Sequence, residues 1–400
     1  MKIALFTDTY LPQINGVATH VKTLKEGMER IGHQVTVVTA DPGVPAHCIE
    51  DGILRCPATE IKELYGYGMA SSRSAEREQI LADLSFDVIH VHTEFGIGLS
   101  GAEIARRRKI PLVYTLHTMW EQYLHYIVPR AAYPIAREAA RAYIGYFAGK
   151  ADEIIGPSPK VQGFLKDCGV QREVNVIPNA VELDRFSRSL VPPQAVDRLR
   201  EELGLTPEDL VLCFCGRLGE EKSVDVLVDF FAQLYHPGDH IKLLIIGEGP
   251  ARETLEQQAR SLGLADKVIF AGAVPHERMP EFYACCDLYA TASLSEVNSI
   301  SMLEAMAMEL PVLHRVDEKN PGQVTEGVNG FLFRTAEEFC MAVQRFRDGG
   351  VEDRLRLRAS TAGSVHAAGQ EGLARRVEAV YLKHLSPYDR PPVGTSLCCS

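Results

Sequence analysis

Residues 1–40 read MKIALFTDTYLPQINGVATHVKTLKEGMERIGHQVTVVTA, and the order of apolar, loop and helical patterns within them predicts the architecture. The apolar run MKIALF predicts a buried strand, and glycine and proline mark the following segment, TDTYLPQINGV, as a loop. Apolar residues then recur at helical spacing, Gly32 ends that pattern, and QVTVVTA predicts a second strand. A strand, a helix and a strand in this order predict two parallel strands joined by a crossover helix. The helical positions are Val21, Leu24, Met28 and Ile31.

The same alternation continues along the chain and restarts once. DVIHVHT, PLVYTLHT, DEIIGPS and VNVIPN predict further strands of a first domain, which we place at residues 1–190. VLCFCGR, KLLIIGEG, KVIFAGAV, DLYATAS and LPVLHRV predict a second domain at residues 191–371. The last helix, 372–385, fits either domain and is grouped with the first, and 386–400 read as a tail. We therefore expect an α/β chain of two doubly wound, Rossmann-like domains that face a cleft.

Composition is that of a water-soluble globular protein, with 46% hydrophobic and 24% charged residues among 400. The sequence contains no apolar run of about 18 residues, so we expect no membrane-spanning helix. The opening MKIALFTDTYLPQ has too short an apolar run for a secretory signal. The ten cysteines form no pair of C-x-x-C knuckles, which argues against a structural zinc and favours buried thiols.

Charge is distributed unevenly. The formal net charge of −11 argues against nucleic acid as a partner. Residues 1–190 carry 21 basic and 22 acidic side chains, whereas 191–400 carry 21 and 31. Only the first half is therefore expected to approach an anionic surface.

Candidate binding residues follow predicted strands, where open α/β sheets bind their ligands. Gly16, in the loop after the first strand, would let a backbone approach a phosphate, although a tight turn alone also explains it. His117 could donate to sugar hydroxyls or assist a proton transfer, although a structural histidine is the plainer alternative. Arg217 and Lys222, in GRLGEEK, could both reach one diphosphate, or could form exposed salt bridges with the glutamates beside them.

Two glutamates, Glu296 and Glu304, stand in ASLSEVNSISMLEAMAMELPV, residues 292–312, where a strand gives way to a helix. The helix start favours a phosphate, which would repel a carboxylate. The two carboxylates are therefore expected to bind neutral donors, such as the sugar hydroxyls on either side of a diphosphate. The alternative makes Glu296 a partner of the helix dipole and Glu304 a solvated residue.

His90 and His92 flank one residue of a predicted strand and so share a face. A metal site would need a third ligand, which the sequence does not reveal, so no metal site is predicted. We interpret both histidines as supporting residues of the strand.

Taken together, the motifs resemble the retaining, two-domain GT-B glycosyltransferases of nucleotide-sugar family 4. The resemblance runs from Met1 to about Phe333 and rests on FTDTYLPQINGVATH, HVHTEFG, TLHTMW, VIPNAVELDRF, GRLGEEK and GAVPHERMPEFYACCDLYATAS. The two glutamates match the family's pair with seven residues between them. Within the family, FTDTYLPQINGV and HTMWEQYLHYI are most similar to bacterial diacylglycerol glucosyltransferases.

The resemblance implies a role for each matching residue on the donor side. Arg217 and Lys222 would hold the diphosphate and stabilise the leaving group. Glu296 would bind the transferred sugar and Glu304 the ribose. UDP-glucose is the favoured donor, although the residues themselves name neither the base nor the sugar. Backbone at Val297, Asn298, Ser299 and Ile300 would meet the phosphates.

On the other side of the reaction, the resemblance implies that Gly16 lets the first domain close on the donor and that His117 touches the sugar near the reacting carbon. It implies no essential metal and no other cofactor. Two positions depart from the family, which often has glycine at Ser299 and at Glu309. Ser299 could crowd a phosphate, and Glu309 follows the helix where a glycine would ease the turn.

A segment rich in aromatic and basic residues, predicted helical from about Met119 to Gly149, suggests contact with an anionic bilayer. We therefore expect a lipid acceptor such as diacylglycerol and a cytoplasmic protein, peripheral on the inner face of the plasma membrane. An ordinary core helix and a solvated basic turn would instead favour a soluble sugar or polysaccharide acceptor. The candidate residues are Arg106, Arg107, Arg108, Lys109, Trp120, Tyr123 and Tyr126.

Two alternatives come from other functional classes. A non-hydrolysing nucleotide-sugar epimerase can share the two-domain fold, but it would leave the basic aromatic segment without a purpose. A catalytically silent nucleotide-sugar-binding protein is suggested by Ser299 and Glu309. Product analysis without an acceptor, and turnover tests over a broad panel of acceptors, would separate these alternatives from a transferase.

Overall fold

A computed structural model describes residues 1–13, 15–61, 67–124 and 128–385. The chain divides into two compact units, the first formed by Met1–Pro178 with the chain from Gln370 onward, and the second by Asn179–Gly369. Within the described residues, both units are layered α/β structures built on mainly parallel sheets.

In the first unit, eight strands of the described chain form one sheet, in the order β10-β9-β8-β7-β1-β2-β4-β3. Its neighbouring strands are parallel except for β3 and β4, which are antiparallel at one edge, and β5 and β6 form a separate antiparallel pair. The strands are β1 (Lys2–Thr7), β2 (Gln34–Asp41), β3 (Cys48–Glu50), β4 (Ile53–Pro57), β5 (Thr59–Ile61), β6 (Tyr67–Met69), β7 (Val88–Val91), β8 (Leu112–Thr115), β9 (Glu153–Gly156) and β10 (Asn175–Val176).

Helices cover this sheet, and the last helix of the described residues is one of them. Gly27 in the first helix lies so close to the carbonyl of Gln370 that an added Cβ would come within 2.6 Å of that oxygen. The side-chain amide of Gln370 also donates to Glu26 at 2.7 Å, so the last helix is fitted closely to the first. The helices are α1 (Gly16–Arg30), α2 (Ala75–Ala82), α3 (Gly96–Arg108), α4 (Tyr133–Ala148), α5 (Lys160–Asp167) and, after the second unit, α13 (Gln370–Tyr381).

The second unit has a six-stranded sheet within the described chain, in the order β13-β12-β11-β14-β15-β16, with every neighbouring pair parallel. Alternate residues of β11 enter two separate hydrophobic clusters, so both faces of the sheet are buried beneath helices. The elements are α6 (Pro193–Glu202), β11 (Leu210–Cys215), α7 (Val224–Leu234), β12 (Ile241–Ile246), α8 (Arg252–Ser261), β13 (Val268–Gly272), α9 (Met279–Ala284), β14 (Leu288–Thr291), α10 (Ile300–Ala307), β15 (Val312–Arg315), β16 (Gly330–Phe333), α11 (Ala336–Asp348) and α12 (Val351–Ser364).

Among the parallel strands, the strand order reverses direction between β1 and β7 in the first unit and between β11 and β14 in the second. Ligands of doubly wound sheets bind beyond the carboxyl ends of the strands at such a reversal. Residues after β1, β7, β11 and β14 are therefore the positions at which each unit can build a site.

The division between the units lies after Pro178, earlier than the boundary of 190 expected from sequence. Val181 forms a parallel bridge with Gly369, and Phe186 is buried in a core cluster of the second unit. Residues 179–190 are therefore part of the second unit rather than a linker. The helix expected at 372–385 is α13, in the first unit, and 386–400 lie outside the described residues.

The segment from Met119 to Gly149 was expected to be one long helical region, and this expectation is wrong. Among the described residues of this segment, regular helix is confined to α4, preceded by short 3-10 turns at Trp120–Gln122 and Arg130–Ala132. Pro129 explains the break, because proline lacks an amide hydrogen and disfavours helical geometry at the residue before it. No helix among the described residues has the length and apolar character needed to cross a bilayer.

Candidate active site

The reversal point of the second sheet carries both predicted glutamates. Ser299 begins α10 as its N-cap, with Oγ accepting a hydrogen bond from the Met302 amide at 3.3 Å. The loop before it is fixed by Asn320, whose side-chain amide donates to the carbonyl oxygens of Glu296 at 2.9 Å and Val297 at 2.8 Å. The predicted junction between strand and helix is confirmed, and its loop is braced by hydrogen bonds.

The predicted phosphate-facing backbone is braced as well. The Asn179 backbone amide donates to Asn298 Oδ1 at 3.0 Å, and the Asn179 side-chain amide donates to the Asn298 carbonyl at 2.7 Å. The Ser299 amide donates to Gln323 Oε1 at 3.3 Å. Sequence reasoning gave Asn179 no role, although it lies in the quoted VIPNAVELDRF, and it missed Asn320 and Gln323, which follow β15 and lie in no quoted motif.

Lys222 and Glu296 form an ion pair, with Nζ donating to Oε1 at 2.7 Å. Both side chains are mostly buried, each 18% exposed. Burial acts to raise the pKa of Glu296, but the Lys222 ammonium and hydrogen bonds outweigh it and hold that pKa below its usual value. Glu296 is therefore ionised at neutral pH and lies beside a cation at the reversal point.

Arg217, directly after β11, donates to Glu221 at 2.5 Å. Glu221 is almost fully buried, whereas Arg217 is 28% exposed. The sequence left open whether the two cations of GRLGEEK pair with the glutamates beside them. Arg217 pairs with the neighbouring Glu221, whereas Lys222 pairs with the distant Glu296. The structure thus places both predicted cations in one unit at the carboxyl end of β11. Each cation is paired with a carboxylate, and a bound anion could compete with that carboxylate for the cation.

Glu304 lies on the buried side of α10 and is only 5% exposed, so the alternative of a solvated helix residue is wrong. Its Oε1 is 2.7 Å from His276 Nε2, and its Oε2 accepts from the Tyr283 hydroxyl at 3.2 Å. Burial acts to lower the pKa of His276, but the Glu304 carboxylate outweighs it and raises that pKa. Sequence reasoning missed both partners, although Pro275 before His276 marks the start of a turn.

The two departures from the family pattern have different structural consequences. The Ser299 hydroxyl turns back onto its own helix as a cap. Glu309, just past the end of α10, adopts a left-handed backbone with a φ of 65°. The expected glycine-like turn is therefore present without the glycine.

Replacing Glu309 with glycine should raise the free energy of unfolding by about 1 kcal/mol, because a side chain is disfavoured in the left-handed region. Urea unfolding followed by circular dichroism measures this change. Glu309→Ala is the matched control, since it removes the carboxylate but keeps the Cβ. An equal gain in both variants would assign the effect to charge rather than to backbone.

In the first unit, Gly16 opens α1, and Asn15 caps that helix by accepting from the Ala18 amide at 3.0 Å. An added Cβ at Gly16 would meet no described atom within 4 Å, and Gly16 is not among the glycines with a positive φ. Neither packing nor a left-handed turn therefore requires glycine here, which weakens the plainer alternative of a tight turn.

His117 follows β8 and lies in a group of histidines. Its Nε2 is 3.1 Å from His92 Nδ1, and its ring centroid is 4.5 Å from that of His20 on α1. Burial, with neighbouring histidines, lowers the pKa of His92 and His117 well below the usual value, so both rings are neutral at pH 7. His90 is separate in its bonding, with Tyr381 and Thr115 hydroxyls each 2.7 Å from a ring nitrogen.

Glu94, after β7, is a buried carboxyl that sequence reasoning missed. It accepts from the Tyr114 hydroxyl at 2.5 Å and from Trp120 Nε1 at 2.8 Å. Burial raises the pKa of Glu94 to about 7, although these hydrogen bonds oppose the rise. Phe95 packs edge-on against Trp120, with ring centroids 4.8 Å apart, and Tyr123 also contacts Trp120. Trp120 is thus held in a fixed aromatic group at the carboxyl end of the sheet.

The arginines of the basic run, Arg106 to Lys109, form ion pairs and hydrogen bonds within the first unit. Arg106 pairs with Glu103 at 2.7 Å, Arg107 with Glu78 at 3.0 Å, and Arg108 donates to the Leu81 carbonyl at 2.9 Å. Lys109 ends α3 in a left-handed conformation. Paired carboxylates reduce the positive field expected from the run. Tyr126, the remaining predicted acceptor residue, lies outside the described residues.

Comparison with known proteins agrees with this arrangement. The family model "Glycosyltransferase Family 4" matches residues 14–185, and "Glycosyl transferases group 1" matches residues 195–362. The chain is 34% identical to an alpha-monoglucosyldiacylglycerol synthase of Streptococcus pneumoniae, over 86% of this chain and 77% of that protein. It is 30% identical to the enzyme of the same name from Acholeplasma laidlawii, over 84% and 86%.

Among solved structures, Anabaena HepE in complex with UDP-glucose matches with a TM-score of 0.71 at 20% identity, over 96% of this chain and 100% of that one. At that identity the likeness concerns the fold, two Rossmann-like domains of the GT-B class. The family models together span most of both units, and the two synthases are similar over most of their length. The chain therefore belongs to glycosyltransferase family 4 and is a glycosyltransferase, related to bacterial alpha-monoglucosyldiacylglycerol synthases.

Proposed function

We propose that this glycosyltransferase moves a hexose from a nucleotide diphosphate sugar, UDP-glucose in the favoured case, to diacylglycerol or a similar lipid, with retention of anomeric configuration. The observation that carries the donor half is the Lys222–Glu296 ion pair beside the start of α10. The names of the two synthases support the lipid acceptor, and the HepE complex supports UDP-glucose.

On the donor side, each group has a chemical task. Transfer breaks the bond between the anomeric carbon and the diphosphate oxygen, and negative charge grows on that oxygen. Arg217 and Lys222 would stabilise this charge, which is also why we propose no essential metal. Glu296, freed from Lys222 when the diphosphate takes the ammonium, would accept hydrogen bonds from the sugar hydroxyls. Glu304, already oriented by His276 and Tyr283, would bind the ribose.

On the acceptor side, the acceptor hydroxyl forms the new bond to the anomeric carbon and gives up its proton. The roles proposed for Gly16, in closure on the donor, and for His117, in contact with the sugar, rest on the family resemblance. His117 is neutral at pH 7 and can donate a hydrogen bond without carrying a charge. Trp120 and Tyr123 offer an amphipathic surface suited to a lipid glycerol unit.

Transfer assays with the full chain test this proposal. UDP-glucose and diacylglycerol in mixed micelles should yield monoglucosyldiacylglycerol, whose anomeric proton coupling by NMR should report an α linkage. GDP-mannose is the donor control, and glucose and maltose are the soluble acceptor controls. Efficient transfer to the soluble sugars with no transfer to the lipid would favour the alternative, a soluble acceptor.

We also propose a cytoplasmic protein with peripheral contact to an anionic membrane. In α4, Ile135 is 79% exposed and Tyr146 is 62% exposed, and the two lie about three helical turns apart, on one face of the helix. Arg137, on another face, is paired with Glu138 at 3.5 Å. Exposed apolar and aromatic side chains on one helix face suit a bilayer interface. Because Arg106 and Arg107 are also paired with carboxylates, this face of α4 is expected to contribute more to membrane contact than the basic run.

Binding to anionic vesicles should rise with the fraction of anionic lipid and fall in high salt, since each basic residue contributes about 1 kcal/mol near such a surface. Ile135→Asp should weaken co-sedimentation about tenfold, and neutralising Arg106 to Lys109 should weaken it less. Val351→Asp, at a similarly exposed apolar position on α12, is the matched control. Indifference of the wild type to anionic vesicles at low salt would remove the main physical support for a lipid acceptor.

A further inference from the structure

Three histidines of the first unit converge on one point from three different elements. His20 comes from α1, His92 follows β7 and His117 follows β8. One ring nitrogen from each lies within 4.8 Å of the other two. The backbone that presents them is anchored, since the His92 amide donates to the carbonyl of Phe6 in β1 at 2.9 Å.

His92 is the member whose hydrogen bonding is incomplete. Its Nδ1 contacts His117 Nε2, but its Nε2 is buried and no described residue bonds to it. The whole side chain is nearly inaccessible, at 1% exposure. A buried polar atom without a partner is costly, and an ion at the site is one of the ordinary explanations for it. His90, by contrast, has both ring nitrogens engaged and is excluded as a ligand.

The chemistry of the group selects the kind of ligand. Neutral imidazoles bind divalent transition metals, and zinc in particular. Magnesium and calcium prefer oxygen ligands and are not expected here. Three protein ligands would leave a fourth position for water or another group, as in zinc sites that are not purely structural.

We propose that His20, His92 and His117 form a binding site for a divalent transition metal ion of the zinc class. Sequence reasoning found no third ligand because it considered His90 and His92 together, whereas the fold joins His92 to histidines from α1 and β8. The ion competes with the sugar role proposed for His117, so the site is inhibitory rather than essential. Metal binding itself does not depend on that proposed role.

The experiment measures binding without any transfer assay. The full chain, stripped with a chelator, is titrated with Zn²⁺ against a chromophoric competitor at pH 7.5. We expect one ion per chain with micromolar or tighter affinity. His20→Gln and His117→Gln should each weaken it at least tenfold, the scale on which metal sites respond to lost support. His366→Gln, an exposed histidine of the second unit, should leave it unchanged.

Cobalt binding to the wild type gives a second measurement. It needs no variant, so it remains valid even if a substituted chain does not fold. Co²⁺ bound to the wild type should show the intense visible absorption of a four-coordinate ion with nitrogen ligands. The weak spectrum of a hydrated six-coordinate ion would overturn the proposal. Zinc affinity equal in wild type, His20→Gln and His117→Gln would also overturn it, even if the enzyme transfers sugar as proposed.

Discussion

Replacing Lys222 with alanine should lower kcat/KM for transfer by about 100-fold or more, or about 3 kcal/mol of transition-state stabilisation. Two losses combine in this variant. The diphosphate loses a cation where negative charge grows, and Glu296 loses the ion-pair partner that lies 2.7 Å away. Initial rates over a range of UDP-glucose concentrations measure the effect. Lys242→Ala, which removes a lysine hydrogen-bonded to the Asp266 carbonyl elsewhere in the same unit, is the control.

The same variant should change the pH dependence of whatever activity remains. In the wild type, Lys222 offsets burial and keeps the pKa of Glu296 below its usual value. Without the ammonium, burial is opposed mainly by the weaker effects of a Ser293 hydrogen bond and of His314, so the pKa of Glu296 rises and the carboxylate is protonated at a higher pH. The acid limb of the pH–rate profile should therefore move to higher pH. An unmoved acid limb together with near wild-type turnover would contradict the assignment of Lys222 and Glu296 to the donor site.

The fold could be predicted from the sequence because the patterns that indicate its strands and helices are local. Strands β1 and β2, with α1 between them, follow from the apolar runs and helical spacing of residues 1–40, and Gly32 marks where the helix pattern stops. The prediction of one long helical region from Met119 was wrong because it did not allow for Pro129. Pro129 lies before α4, whereas Pro134 occupies the first turn of that helix, where proline is tolerated.

The sequence predicted where the charged residues of the candidate site lie in the fold, but it did not predict the residues that hydrogen-bond to them. Arg217, Lys222 and Glu296 each follow a strand, and Glu304 lies within the helix that comes next, so their positions carry a local signal. His276 and Tyr283 reach Glu304 from the segment after β13, and Asn179 reaches Asn298 across more than a hundred positions of sequence. Such pairs depend on how the strands are ordered in the sheet, and a single sequence does not state that order.

Glu304→Ala and Glu296→Ala should fail in different ways. Glu304 is proposed to bind the ribose, so its loss should weaken binding of free UDP by about 2 kcal/mol, or about 30-fold, as for a hydrogen bond to a charged group. Glu296 is proposed to bind the sugar, which free UDP lacks. Glu296→Ala should therefore bind UDP within about threefold of the wild type while losing transfer. Isothermal titration calorimetry with UDP, alongside the transfer assay, measures both.

The buried contacts of Glu304 make the choice of variant important. Alanine leaves the Tyr283 hydroxyl and the His276 ring without their partner, which can destabilise the fold as well as the site. Glu304→Gln keeps the shape and can still accept from Tyr283, but it offers the ribose a neutral amide in place of a carboxylate. If Glu304→Gln unfolds like the wild type yet binds UDP about tenfold more weakly, the carboxylate itself contacts the nucleotide. Equal UDP affinity in the wild type and Glu304→Gln, or equal losses of UDP affinity in Glu304→Ala and Glu296→Ala, would mean that the two carboxylates do not divide the donor between ribose and sugar.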